Sequence, residues 1–184
     1  MKALTIIFFL FTSIICAQNY DPIPAKNLNF TSLISHIYDD GQKTEYGIVG
    51  YDDIWGPKER YQPVIAEWLK NNPEAVFTPV SYVYMKTKKG NPIIMYYGWI
   101  TNGNKNLGIH LVETGIMRAN AMTRFKTLDE YSEEEKTKYK VSTMSNEPKI
   151  KTLIEDSIYN KYLEKLMAAE ERAKSKKIGV WSDD

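Results

Sequence analysis

Few side chains in this sequence have the type and spacing for chemistry. His36 and His110 lie far apart, with no His-x-x-x-His spacing and no cysteine near either, so they do not make a metal site. Cys16 is the sole cysteine, which leaves no disulfide pair and no thiolate metal cluster. Asp52 follows the apolar run Ile48-Val49-Gly50-Tyr51 and is a lone metal-type carboxylate. A hard cation such as calcium needs several oxygen ligands, so one carboxylate does not hold it tightly. Glu59 and Arg60 stand where a helix is expected to begin, and an acid there is favoured by the helix dipole whatever else it does. The glycines fall at turns and caps, and none builds a phosphate-cradling loop.

The elements that must position these groups are legible from periodicity. Phe30–Tyr38 and Tyr46–Tyr51 read as a hairpin about the turn Asp39-Asp40-Gly41. A helix is expected over Glu59–Lys70, with Val64, Ile65, Trp68 and Leu69 on one face and Pro63 in its first turn. Val76–Lys86 alternates Val80, Tyr82 and Tyr84 against Ser81, Val83 and Met85. Lys88-Lys89-Gly90-Asn91 then turns the chain into the strand Ile93–Ile100. Asn102-Gly103 turns it again into a short helix, Leu107–Thr114, closed by Gly115. Ala119–Phe125 is expected as a last strand. Thr127–Pro148, with Glu133, Glu134 and Glu135, is expected as a charged mobile loop. The stripe Ile150, Leu153, Ile154, Ile158, Tyr162, Leu163 and Leu166 predicts a long helix over Pro148–Lys177 that Gly179 ends.

The amino terminus predicts export. Lys2, an apolar run over Ala3–Ile15 and small Ala17 form a secretory signal, residues 1–17. The run is shorter than the roughly 20 apolar residues a spanning helix needs. A retained anchor and a lipidated Cys16 are the other two readings, although Ile15 is bulkier than that processing usually accepts. Gln18–Asn27 reads as an extended leader ahead of one domain, 28–184. Pro22 and Pro24 both lack an amide donor, which blocks regular structure through the leader. The mature part is long enough for one domain with its own core.

Charge and composition bear on partners. The whole chain has 24 Lys+Arg against 23 Asp+Glu, and loss of Lys2 with the signal leaves a formal net charge of zero. Dedicated nucleic-acid binders usually carry a basic excess. Two local clusters remain, Lys86, Lys88 and Lys89, and Lys174, Lys176 and Lys177, and solvated surface is the plain reading of both. With 13 Tyr and 4 Trp, half-buried strands and wet interfaces are both well supplied.

The order of elements is that of a mainly β fold with helices: a five-stranded OB-fold barrel with two short helices and a long C-terminal helix. Three stretches narrow it. Leu111-Val112-Glu113-Thr114-Gly115-Ile116, Glu170-Glu171-Arg172-Ala173-Lys174 followed by Ile178-Gly179-Val180-Trp181-Ser182, and Ile48-Val49-Gly50-Tyr51-Asp52 together resemble the staphylococcal-nuclease-like (thermonuclease) family. The resemblance covers about Phe30 to the end and is most specific at the carboxy terminus.

What it implies is a fold with a damaged site. Family members cut nucleic acids with calcium, using two arginines, a glutamate and metal-holding aspartates. By alignment on Asp52, the first arginine position holds Gly47, the glutamate position Trp55 and the second arginine position Asn91. The amino-terminal metal motif has no counterpart; Asn29-Phe30-Thr31 is the nearest stretch. Losing one well-placed electrostatic donor costs on the order of 10²–10³ in rate, so the combined losses imply little nuclease activity. Pro57-Lys58-Glu59-Arg60-Tyr61-Gln62-Pro63 also resembles the surroundings of the catalytic glutamate in some relatives, which keeps Glu59 and Arg60 as alternative site residues.

The expectation is therefore an exported, non-catalytic binding module without a cofactor, in the periplasm, at the outer membrane or secreted, with a protein partner in the cell envelope. Tyr82, Tyr84, Tyr96, Tyr97 and Trp99 are its candidate binding residues, about half of which strand alternation assigns to the core. A secreted calcium-dependent nuclease with a rebuilt site and a non-catalytic nucleic-acid binder that stacks bases on tyrosines are the alternatives.

Overall fold

A computed structural model describes residues 21–28, 34–39, 42–50, 59–86, 90, 92–138 and 149–182. These form a mixed α/β fold: a curled open sheet with four helices among the described residues.

The two longest strands, β4 (Val76–Lys86) and β5 (Pro92–Asn102), are the segments richest in β-branched and aromatic residues, and they pair antiparallel. On the far side of β5, β3 (Gln42–Ile48) runs parallel to it and pairs antiparallel with β2 (Ile34–Asp39). The outer edge of β4 is shared by two short strands. β1 (Ile23–Pro24) lies beside Phe77 and Val76, and β7 (Lys149–Thr152) lies beside Ser81 to Tyr84. The register shifts between Pro79 and Ser81, and there the Leu153 amide donates to the Val80 carbonyl at 2.8 Å. Covering β4 in this way hides backbone groups that would otherwise offer an edge to other chains. β6 (Lys105–Asn106) completes a tight turn on the end of β5.

Helices plug one end of the curl. α1 (Gln62–Lys70), α2 (Leu107–Glu113) and α4 (Asp156–Ser175) send Ile65, Trp68, Leu107, Leu111, Tyr162 and Leu166 against Ile48, Phe77 and Ile100 of the sheet. Asn106 caps α2 through its side chain, which accepts from the Ile109 amide at 3.1 Å. The Asn72 side chain ties the end of α1 to the sheet, donating to the Trp68 carbonyl at 2.7 Å and accepting from Asn102 at 3.1 Å. No helix among the described residues is long and apolar enough to cross a membrane.

Several expected boundaries move. Ala119–Phe125 is not a strand: Ala119–Met122 is a 3₁₀ turn, with Ala119 and Met122 buried under α4. The last helix begins at Asp156 rather than Pro148, because Ile150 continues the sheet opposite Val83 instead of joining the helical stripe. The leader is docked over part of its length: Ala25 is buried in the core at the start of a 3₁₀ turn at Ala25–Asn27, and Leu28, the first residue of the expected domain, is buried directly after it. Within the stretch expected as a charged loop, Glu133–Lys138 forms α3. Its start is a capping box: the Glu135 amide donates to Ser132 Oγ at 3.1 Å and the Ser132 amide donates to Glu135 Oε2 at 2.9 Å. The expected signal, residues 1–17, and the remainder of the charged stretch, 139–148, lie outside the described residues.

Candidate functional site

Strand parity divides the candidate aromatics between two faces. Tyr46 of β3, Tyr96 of β5 and Tyr82 of β4 stand directly opposite one another in the ladder, so their side chains form one row. Tyr46 stacks on Tyr96 at 5.7 Å and 19°, and Tyr82 meets Tyr96 at 6.0 Å with a tilt of 58°. Thr44, Ile94 and Tyr84 make the next row on the same face, and all six residues are half-buried. Phe77 closes the inner end, edge-on to Tyr46 at 5.6 Å. Burial pushes the Tyr46 phenol above its usual range, which keeps it a neutral donor and acceptor at physiological pH.

The other face is covered. Val83, Met95 and Tyr97 are buried there beside Val80 and Val49. Tyr97 is only 2 % exposed and meets Phe125 edge-on at 4.7 Å. Trp99, also on this face, is half-buried with its ring 4.7 Å from that of Tyr162 on α4. Burial under Phe125 therefore removes Tyr97 from the candidate binding set, while Trp99 lies on the same face with its ring engaged by Tyr162. Tyr82, Tyr84 and Tyr96 share one half-buried face with Tyr46; its inner end, Ile48, Phe77 and Ile100, packs under the helices, and Tyr46 and Tyr96 lie against that core. The signal for Tyr46 is its alternation with Thr44 and Ile48 in a strand that the sequence already marks.

The positions aligned with family catalysis divide between described and undescribed residues. Gly47 lies in β3 between Ile34 and Tyr97, buried on the covered face, and brings no charge to it. Asp52, Trp55 and Asn91 fall outside the described residues. Glu59 and Arg60 are exposed in a turn before α1, whose helical residues begin only at Gln62, so Glu59 is not in its first turn. Among the described residues no group of three His, Cys, Asp or Glu side chains is arranged to hold a metal ion.

The lysine cluster at the end of α4 is partly neutralised. Lys174 reaches Glu170 at 3.3 Å and Glu171 at 3.0 Å and lies over the Trp181 ring at 4.8 Å. Arg118 covers the same ring at 4.6 Å. The stretch over residues 111–116 and the carboxy-terminal stretch of the resemblance meet here. The Val180 amide donates to the Gly115 carbonyl at 2.8 Å, and Arg172 pairs with Glu113 at 2.8 Å.

A second clasp orders the covering segment. Arg124 lies under the surface, over the Tyr159 ring at 4.7 Å, and its guanidinium grips both carboxylate oxygens of Glu130. The Thr127 amide also donates to Glu130 at 2.7 Å. Hydrogen bonding from Arg124, then from Thr127, holds the Glu130 carboxyl at about 2 despite opposition from partial burial. A carboxyl depressed on folding stabilises above its unfolded value and loses that contribution as pH falls through the folded one. The clasp should accordingly be intact at neutral pH and weaken progressively from about pH 4.5 down to about pH 2. Because Glu130 is 39 % exposed, solvent screening limits its contribution to about 1 kcal/mol or less. Urea denaturation at stepped pH checks this: the stability gap between wild type and Glu130→Gln should narrow over that window, and a gap independent of pH would remove the clasp's electrostatic role.

Comparison with protein-family models and with curated proteins finds no match to this chain.

Proposed function

We propose that this chain is an exported, non-catalytic binding module of the staphylococcal-nuclease-like type, built on a five-stranded OB barrel, and that it engages a protein partner in the cell envelope. The observation that carries the binding surface is the row of Tyr46, Tyr96 and Tyr82 with Tyr84 beside it, half-buried on one face of the curled sheet. Rigid aromatic bodies with polar tips are well suited to a protein interface, since they bury large area with little loss of side-chain freedom. The strand order supports the barrel reading. The path β1-β4-β5-β3-β2 runs through five strands of the curled sheet and ends in β1 and β2, which are consecutive in the chain, an arrangement compatible with a barrel. The uncharged residues Gly47, Trp55 and Asn91 at the aligned catalytic positions support binding without phosphodiester cleavage.

Two measurements test the reading. Single-stranded DNA incubated with the mature protein and calcium should stay intact, as it does with EDTA; metal-dependent cleavage would establish the rebuilt nuclease instead. A photo-crosslinking residue at position 82 or 84 should give a discrete protein adduct in native envelopes, and the same residue at the exposed position of Glu164 on α4 should not. Salt-sensitive DNA binding without such an adduct would favour the nucleic-acid binder.

A further inference from the structure

A cleft of about 790 Å³ lies between α1 and α2, away from the tyrosine row. Its polar lining includes Glu67 and Asn71 at the end of α1, Asn104 and Lys105 after β5, and His110 and Glu113 on α2. Val64 and Ile109 supply apolar wall.

The charges in this cleft are arranged against their own helices. Glu67 is in the last turn of α1, and Glu113 ends α2. Carboxylates are disfavoured at the negative end of a helix dipole, where a positive charge is favoured instead. Glu113 meets part of this demand through Arg172, at 2.8 Å, but both of those side chains remain over 40 % exposed. Glu67 is exposed and has no ion pair among the described residues. His110 lies between them, half-buried; burial lowers its pKa while Glu113 and Glu67 pull the other way. At neutral pH its imidazole is therefore mostly uncharged and offers one acceptor nitrogen. Lys105 is the one lysine of the lining, and it stands at the opposite end of α2 from Glu113.

We propose that this cleft receives a lysine or arginine side chain of a protein partner, with Glu67 as the main counter-charge. The cationic head finds acceptors in Glu67, His110 and the amide oxygens of Asn71 and Asn104. The methylene stem lies along Val64 and Ile109, as long basic side chains lie along apolar surface while the head stays polar. The assignment of the occupant to a protein rests on the function proposed above. The acceptor chemistry of the cleft does not.

The test is a titration of the mature protein with Nα-acetyl-lysine methylamide and Nα-acetyl-arginine methylamide, followed by amide chemical shifts, with the norleucine analogue as the uncharged control. Saturable shifts are expected at Glu67, Asn71 and His110 with one or both cationic probes and not with norleucine. Glu67→Gln, an exposed change that leaves the core untouched, should weaken the response by about threefold to fivefold, the scale of one solvent-accessible ion pair. Absence of saturation, an equal response to norleucine, or unchanged binding by Glu67→Gln would overturn the site. A silent titration beside a positive crosslink at position 82 sinks the cleft alone. A saturating titration beside failed crosslinking sinks the tyrosine face alone.

Discussion

Gly179→Ala should lower stability by about 3 kcal/mol, combining a left-handed-backbone cost of roughly 1–2 kcal/mol for a residue with a Cβ and an overpacking cost of about 1–3 kcal/mol. Gly179 has φ +60° and Gly115 has φ +69°, and the two backbones lie against each other. A Cβ on Gly179 meets the Gly115 carbonyl, and a Cβ on Gly115 meets the carbonyl of Ile178. Both obstacles are main chain, so no side-chain rotation relieves them. Gly103 separates the two costs. Its φ is +58° but the space around its Cβ position is open, so Gly103→Ala carries only the backbone part. In a domain of this size each kcal/mol corresponds to about 2–4 °C, so thermal denaturation should put Gly179→Ala about 6–12 °C below wild type, well below Gly103→Ala. The Gly115→Ala/Gly179→Ala double variant should cost less than the sum of the singles, because both break one contact. Equal losses for Gly179→Ala and Gly103→Ala would show that the docked tail contributes little.

That contact joins the stretch over residues 111–116 to the carboxy-terminal stretch around Gly179. Gly115 reads as a helix cap and Gly179 as a helix stop, each from its own neighbours. Local rules reach that far. They do not reach the meeting of Gly115 with Gly179, which stand far apart along the chain; α4 itself ends at Ser175 and turns through Lys177 at φ +50°, and Gly179 opens the 3₁₀ turn that follows. The same limit accounts for Ile150. Its spacing to Leu153 and Ile154 fits a helix, and only the free edge of β4 makes a strand preferable. Ser132 and Glu135 are a different matter, since the capping-box spacing is present in the sequence and is obscured by the density of charge around it.

The candidate site is legible in part for a comparable reason. Alternation puts Tyr82 with Tyr84 within β4 and separates Tyr96 from Tyr97 and Trp99 within β5, whereas the shared face of Tyr82, Tyr84 and Tyr96 is set by the cross-strand register. Which face is covered is a tertiary fact. It depends on Phe125 and Ile154 arriving from distant parts of the chain to pack against Val83, Met95 and Tyr97, while Ile150 extends that face from the neighbouring strand β7. The α1–α2 cleft is not legible at all, because Glu67 and His110 come together only when the two helices pack.

Tyr162 is where the second large effect is expected. It is 5 % exposed, and its ring packs on Trp99 at 4.7 Å and on Tyr159 at 6.3 Å. Its hydroxyl donates to the Met122 carbonyl at 3.0 Å, which fixes the 3₁₀ turn under α4. Truncation to Ala removes a buried aromatic and leaves a cavity among helices and sheet, so Tyr162→Ala should cost about 3–5 kcal/mol. Tyr162→Phe keeps the ring and orphans one carbonyl, a loss of about 1–1.5 kcal/mol. The two variants thus divide packing from hydrogen bonding at a single position. pH supplies a further check. Burial drives the Tyr162 phenol well above its ordinary value of 10.0, with Tyr159 adding to the rise. A group whose ionisation is suppressed on folding keeps its full contribution below the unfolded value and loses it as pH rises beyond it. Wild-type stability should therefore fall as pH climbs above about 10, and Tyr162→Phe should remove part of that slope. Tyr159 and Tyr46, also raised by burial, supply the remainder. If Tyr162→Phe is as damaging as Tyr162→Ala, the hydroxyl rather than the ring holds α4 in place, and the packing account of this core is wrong.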